Sequence, residues 1–287
     1  MAQNFPLVIA GGNSLVAPYL MERLRAAGLT AEVISRHAVT VPDGFKFSQM
    51  DFTQARNWIA PENATVISLL PLPVLAQFLP RFIGISAMIA AGSASHLLKA
   101  KSGDAEESGN ARNTFTAENV LRDWWRRGNI KSTLLRGALI YDGKRDYNVV
   151  RMARFIRRYH MLPLAVPGKG LRQPLHADDM AKAIVACLNN EAAYGKELNL
   201  AGSEILTYKE MAERVFHAIG MKPRFWNLQT GFVKKTVEWL SQTNLLRDAF
   251  FTTAVFQRMN EDLILDVEEG LRLLNYQPRG FRPEISL

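Results

Sequence analysis

Short runs of consecutive apolar residues alternate, through the first half of the chain, with longer stretches whose apolar positions recur every three or four residues. Leu7-Val8-Ile9-Ala10 reads as a strand, an amphipathic helix follows over about 14–27, and Gly28 closes it. Ala31-Glu32-Val33-Ile34-Ser35 and the weaker Phe45-Lys46-Phe47-Ser48 are the next two strands. Ala64 to Leu69 and Ile85 to Ala90 are almost wholly apolar, the pattern of strands covered on both faces. A long helix over about 110–127 then leads into the strand Ser132 to Arg136. Beyond Tyr141 the pattern loosens. It predicts helices near 147–160, 177–189, 207–219, 229–240 and 266–274, and short strands near Leu171–Leu175 and Leu198–Leu200.

This succession predicts an α/β fold: a Rossmann-type doubly wound parallel sheet with a smaller C-terminal α/β lobe. The expected division is 1–146 for the dinucleotide-binding domain, its sheet completed by parts of 171–200, and 147–287 for a substrate-binding lobe interleaved with it. The 287 residues suffice for such a core, and 48% hydrophobic with 22% charged residues excludes a disordered chain. Residues 64–98 are apolar enough to suggest a membrane span. Arg81 divides them, however, and Pro71, Pro73 and Pro80 break each half below the ~20 residues a span needs. With no signal-peptide pattern at the N-terminus, a cytoplasmic protein is expected. The single cysteine, Cys187, excludes an internal disulfide and lies in an apolar run that reads as core.

The first strand ends in Gly11-Gly12-Asn13-Ser14-Leu15-Val16-Ala17. A dinucleotide fold needs small residues at three places here, for the turn, for pyrophosphate approach and for helix–strand packing. Gly11, Ser14 and Ala17 occupy those places, so only the first is glycine. Three further segments follow in order: Gln49-Met50-Asp51-Phe52, Leu134 to Tyr141 (LLRGALIY), and Arg172-Gln173-Pro174-Leu175-His176-Ala177-Asp178-Asp179. Together the four resemble the extended, atypical short-chain dehydrogenase/reductase family, in its NAD(P)-dependent epimerase/dehydratase-like branch. The likeness runs from residue 7 to about 190 and resumes at Met259-Asn260-Glu261-Asp262.

The resemblance implies a cofactor site made of Gly11, Asn13, Ser14 and Leu15 in the loop, Ser35 and Arg36 after the second strand, Asp51 and Phe52 after the third, and Leu69, Leu70 and Pro71 after the fourth. NAD-binding members place a carboxylate at the end of the second strand to accept the ribose 2′-hydroxyl. Here that strand ends Ser35-Arg36-His37. A guanidinium there suits a 2′-phosphate, which favours NADP(H) over NAD(H), unless Arg36 is simply a solvated residue. Asp51 matches the position that contacts the adenine amino group, or else caps the following helix.

The catalytic pattern departs from the family. The usual Tyr-x-x-x-Lys, in which lysine lowers the tyrosine pKa and holds the nicotinamide ribose, should open the long helix. Asn110 and Thr114 occupy those positions, and no tyrosine lies between Tyr19 and Tyr141. The preceding Ser93-Ala94-Ser95-His96-Leu97-Leu98-Lys99-Ala100-Lys101-Ser102 resembles a divergent epimerase-like subgroup with S-x-S-x-x-x-K-x-x-S. Ser93 and Lys99 are therefore the catalytic candidates, Ser93 as a donor to a substrate carbonyl. Lys99 would serve at the nicotinamide ribose or as a base, or else is a solvated loop lysine. Arg172, with Asn148 and Lys169 as possible neighbours, suggests a substrate phosphate; the alternative is an ion pair with Asp178 or Asp179. Tyr141 either reaches the cleft or is structural.

The chain carries 35 Lys and Arg against 27 Asp and Glu, a net charge of +8 that favours anionic partners without naming one. Arg151, Arg154 and Arg158 fall on one helix face, read as solvated, with an acidic lipid surface as the minority reading and no nucleic-acid module evident. The histidines show no ligand spacing, so no metal is expected. The aromatic-rich stretch from Phe225 to Met259 suits a lid, a dimer contact or a membrane-facing pair. The functional expectation is an NADP(H)-binding oxidoreductase or epimerase/dehydratase acting on a small or nucleotide-linked carbonyl or alcohol, possible as a homodimer. The rival is a catalytically silent NADP(H) sensor or interaction subunit.

Overall fold

The four residues of β1 (Leu7–Ala10) are all buried because helices cover both faces of the strand. Leu7 and Ile9 point to one face, Val8 and Ala10 to the other, as the twofold strand period requires. The computed structural model describes residues 5–52, 59–99, 105–128, 130–229 and 253–287. β1 sits near the middle of a seven-stranded sheet of order β11-β6-β5-β4-β1-β2-β3. The other members are β2 (Glu32–Ser35), β3 (Lys46–Gln49), β4 (Thr65–Ser68), β5 (Ala87–Ser93), β6 (Lys131–Gly137) and β11 (Glu197–Leu200). Every neighbouring pair is parallel. The strand order reverses between β1 and β4, and such a reversal opens a crevice at the carboxyl ends of the strands.

One face is covered by α1 (Ala17–Ala26) and α6 (Ala177–Ala186), which bring Leu20, Leu24, Met180 and Ile184 onto Ile9 and Val33. Each such large side chain, when buried, contributes ~1.5–3 kcal/mol. The other face packs α2 (Leu72–Phe78) and α4 (Ala105–Gly128) through Leu75, Phe78, Leu121 and Trp125. α4 begins earlier than the periodicity predicts. Ser108 and Gly109 read as breakers, but Glu106 and Glu107 favour a helix start in the first turn. α1 begins later, at Ala17, because Ser14 to Val16 form a turn in which Ala17 N–H donates to the Ser14 carbonyl.

A third core joins α5 (Val149–Tyr159), β8 (Leu162–Ala165), α7 (Tyr208–Ala218), β13 (Phe225–Leu228) and α8 (Thr253–Arg258) around Ile156, Leu164, Phe216 and Phe256. β8 and β13 pair in parallel. The stretch 171–175 is not one strand. β9 (Leu171–Arg172) pairs with β12 (Leu206–Thr207), whereas β10 (Leu175–His176) pairs with β7 (Ile140–Tyr141). Pro174, which has no N–H to donate, lies at the break. The last helix, α9 (Glu268–Leu274), packs near β11. The helix expected over 229–240 lies outside the described residues, except for its first position. No helix among the described residues is long and apolar enough to cross a membrane.

Candidate functional site

The turn after β1 is shaped by close approach. Gly11 has φ +100°, and a Cβ there would lie 3.0 Å from the Leu69 carbonyl carbon. A Cβ on Gly12 would lie 2.5 Å from Val33 Cγ1. Both Gly11 and Gly12 donate N–H to the Ile34 carbonyl, and Ser14 N–H donates to the Gly11 carbonyl. Among the described residues the Asn13 and Leu15 amides have no acceptor. Two free N–H groups at a strand-to-helix turn fit a pyrophosphate, which supplies acceptors and complements the helix N-terminus. A nicotinamide dinucleotide therefore fits this turn.

The remaining cofactor candidates divide by exposure. Leu69 is buried, Leu70 is half-buried and Pro71 is exposed where β4 ends. Ser35 is buried and its Oγ accepts the His37 N–H at 3.4 Å. Arg36 is exposed; its carbonyl accepts from Gln49 Nε2, and its guanidinium has no carboxylate partner among the described residues. Asp51 is half-buried. Phe52 is buried with its ring near Phe78 and Phe82, so its side chain belongs to the core.

Ser93, Lys99, Asn148 and Arg172 lie far apart in sequence yet line one cavity of about 590 Å³, with Leu15 of the loop also on its wall. β5 brings Ser93 to its carboxyl end, and α3 (Ser95–Lys99) turns Lys99 towards the same space. The Ser93 Oγ accepts the Ser95 N–H at 3.1 Å. Lys99 Nζ lies 3.4 Å from Glu107 Oε1, and Arg258 pairs with the other oxygen of Glu107. Lys169 is not on this wall.

Arg172 is 3% exposed and donates to three main-chain carbonyls, of Leu171 and Glu261 at 2.8 Å and of Arg258 at 2.5 Å. It does not pair with Asp178 or Asp179. Arg23 and Arg279 hold Asp178, while Arg279 and Lys182 hold Asp179. No carboxylate among the described residues pairs with it, and burial outweighs the attraction of Tyr208, Asp262 and Glu261 and pulls the Arg172 guanidinium down to about 10. Tyr208 stacks against it, 5.4 Å from ring centroid to guanidinium, and burial pushes that phenol up to about 12. The Tyr208 hydroxyl has no hydrogen-bond partner among the described residues. Arg145, Tyr208 and Arg258 were not foreseen as cavity residues. The signal available for Arg258 was its place beside Met259-Asn260-Glu261-Asp262.

Tyr141 does not reach the cleft. It is 1% exposed, edge-on to His176 and Phe281. Asn110 and Thr114 are not on the cavity wall either, and Thr114 Oγ1 donates to the Asn110 carbonyl at 2.9 Å. Deeper in α4, Glu118 meets Arg136 of β6 through two bonds of 2.8 and 2.7 Å. Arg136 also pairs with Glu197, which Arg122 holds from the other side. His96, buried below Ser93, has Nδ1 3.1 Å from the Ser93 carbonyl oxygen and Nε2 3.1 Å from Glu118 Oε1. No group of three or more His, Cys, Asp or Glu among the described residues could hold a metal ion. Cys187 is fully buried, and burial pushes its thiol up to about 12.

Solved structures of similar shape decide the fold. UDP-glucuronic acid 4-epimerase from Bacillus cereus, solved with UDP-glucuronic acid and NAD, superposes with TM-score 0.70 at 14% identity, over 98% of this chain and 96% of that one. The fold is that of the extended short-chain dehydrogenases/reductases. dTDP-glucose 4,6-dehydratase from Bacillus anthracis, solved with NAD, has the same extended short-chain dehydrogenase/reductase fold, with TM-score 0.67, 10% identity and coverage of 98% and 94%. No protein-family model matches the chain. In sequence, 99 residues are 32% identical to NADH dehydrogenase [ubiquinone] 1 alpha subcomplex subunit 9, mitochondrial, of Arabidopsis thaliana. That match spans 34% of this chain and about a quarter (24%) of the plant protein's length.

Proposed function

We propose that the chain binds NADP(H) across the crevice above β1 and β4. There it acts as an oxidoreductase or epimerase/dehydratase on a small or nucleotide-linked carbonyl or alcohol, without a Tyr-x-x-x-Lys pair. The observation that carries this reading is the convergence of Ser93, Lys99, Asn148 and Arg172 on one cavity that begins at Leu15 of the phosphate turn. The two free amides at Asn13 and Leu15 would hold the pyrophosphate. Arg36, exposed and without a carboxylate partner, would face a ribose 2′-phosphate through charge-assisted hydrogen bonds.

A bound nicotinamide ring would supply hydride transfer. The chain's own residues would orient and protonate. Ser93 would donate a hydrogen bond to the substrate oxygen, and Lys99 would hold the ribose hydroxyls or deliver a proton at Nζ. Arg172 and Asn148 would bind the anionic end of the substrate. Burial and repulsion from Arg258 outweigh the attraction of Tyr208, Asp262 and Glu261 at Arg172, so an incoming anion would give it the ion pair it lacks.

The test is a structure with NADP+ bound. It is expected to place Lys99 Nζ within hydrogen-bond reach of the nicotinamide ribose and Ser93 beside the ring. A dinucleotide bound elsewhere, or Lys99 turned to solvent, would remove the reading. The second reading, a non-catalytic NADP(H)-binding subunit, draws on Asn110 and Thr114 at the Tyr and Lys positions. It also draws on the partial likeness to a subunit of NADH dehydrogenase. Its mark would be NADPH binding with Ser93→Ala and Lys99→Ala leaving every measurable property of the bound cofactor unchanged.

A further inference from the structure

The excess positive charge is not spread evenly. Arg23, Arg122, Arg136, Arg214 and Arg279 all sit against carboxylates. The outer face of α5 is different. Arg154, Arg157 and Arg158 are exposed there, and no described carboxylate pairs with them. Together with Arg145 and Arg151 they line a groove of about 570 Å³ between α5 and the turn that precedes it, with Leu287 also on its wall. The periodicity anticipated Arg151, Arg154 and Arg158 on one face; the fold adds Arg145 and Arg157.

The acidic side chain on this wall, Asp146, is 4% exposed and turned inward. Its Oδ1 accepts the amides of Asn148, Val149 and Val150, and its Oδ2 accepts that of Gly143. Its charge is thereby engaged by the amides that open α5. Like charges one turn apart on a helix repel, so Arg154 and Arg158 destabilise α5 unless an anion lies between them. Aromatic rings are interleaved as well. Tyr147 lies 4.5 Å under the Arg151 guanidinium, and Phe155 and Tyr159 have ring centroids 4.5 Å apart.

We propose that this groove binds a compact oligophosphate, a ligand carrying two or more linked phosphate groups. Guanidinium forks from several turns of one helix can engage successive phosphates bidentately, and the concave floor suits a compact anion better than a flat surface does. The aromatic faces beside the arginines would take a planar ring attached to the phosphates. The groove is separate from the cavity but adjoins it, since Arg145, Asp146 and Tyr147 belong to both walls. Arg145 also donates to the Ser14 carbonyl of the phosphate turn at 2.6 Å, so an occupant of the groove would touch the residue that braces that turn. The site stands whether or not the cavity is catalytic.

The experiment is calorimetric titration of the full chain with inorganic tripolyphosphate at low ionic strength. Saturable one-to-one binding is expected, and Arg154→Glu/Arg157→Glu should weaken it at least about tenfold, a loss of more than about 1.4 kcal/mol. Lys222→Glu/Arg224→Glu makes the same change in net charge away from the groove and should leave the affinity within about twofold. No binding, or equal losses in the two double variants, would overturn the proposal. So would binding to phosphatidylserine vesicles without tripolyphosphate binding, which would assign the face to lipid headgroups. Should the first variant fail to fold, Arg157→Ala/Arg158→Ala provides the same comparison with a smaller expected loss.

Discussion

Two arginines are buried in this molecule under opposite conditions. Arg136, on β6 under α4, is 8% exposed and clasped by Glu118 and Glu197. Burial alone would lower its pKa, but the bonds to Glu118 and Glu197 outweigh burial and raise it. Arg172, on the cavity wall, is 3% exposed and hydrogen-bonds only to carbonyl oxygens among the described residues; burial wins, and the guanidinium falls to about 10. The first arrangement is electrically closed and joins α4, β6 and β11. The second leaves a positive charge unpaired beside open space. On the proposed function, that difference separates a charge that holds the fold from one that would bind a ligand.

The largest effect should come from breaking the closed arrangement. Arg136→Met leaves the buried Glu118 without its guanidinium and Glu197 with Arg122 alone, and should cost about 3–5 kcal/mol, read as a fall in the urea midpoint. Arg172→Met strands carbonyls instead of charges, so its cost should be about 1–3 kcal/mol. The added signature of Arg172→Met, read in the Arg154→Glu/Arg157→Glu background so that the α5 groove does not contribute, is a loss of the thermal stabilisation that pyrophosphate gives. An equal response to pyrophosphate with and without Arg172→Met in that background would erase the distinction between the two arginines.

Acid sharpens the same comparison. Burial pushes the Glu118 carboxyl up, yet Arg136 and His96 together hold it at about 2, below its ordinary 4.5. A carboxyl depressed on folding contributes stability above its unfolded value and loses it as pH falls towards its folded value. Stability should therefore decline between pH 4.5 and about 2. Glu118→Gln should flatten this part of the profile while lowering stability near neutrality. A profile unchanged by Glu118→Gln would show that the network carries no such charge. The smallest effect belongs to Tyr208→Phe. Its hydroxyl has no partner among the described residues, so removing it should shift stability by less than about 1 kcal/mol, in the stabilising direction, by thermal melting.

The sheet was legible in the sequence because strands covered on both faces are almost wholly apolar, and runs such as Leu7–Ala10 and Ala64–Leu69 have that composition. The turn at Gly11 was legible for a similar reason, although Gly12 is required by its contact with Val33 as much as by any phosphate. Arg172 was legible as a cavity residue only through the family resemblance. Its actual partners, the carbonyls of Arg258 and Glu261, come from a segment nearly ninety residues away that no local pattern connects to it. The pairing of Glu118 with Arg136 was hidden in the same way: each reads alone as an ordinary surface charge. The basic groove fell between the two cases, since periodicity revealed three arginines on a face but not the turn that closes it.

Whether the crevice and cavity form a working site for a 2′-phosphorylated dinucleotide is decided by calorimetric titration of NADPH and NADH. Wild-type protein should bind NADPH in a one-to-one complex and NADH more weakly. Arg36→Glu should reduce the affinity for NADPH at least about tenfold, corresponding to one charge-assisted phosphate contact, with little change for NADH. Binding of neither nucleotide, or equal loss of both on Arg36→Glu, would contradict the account.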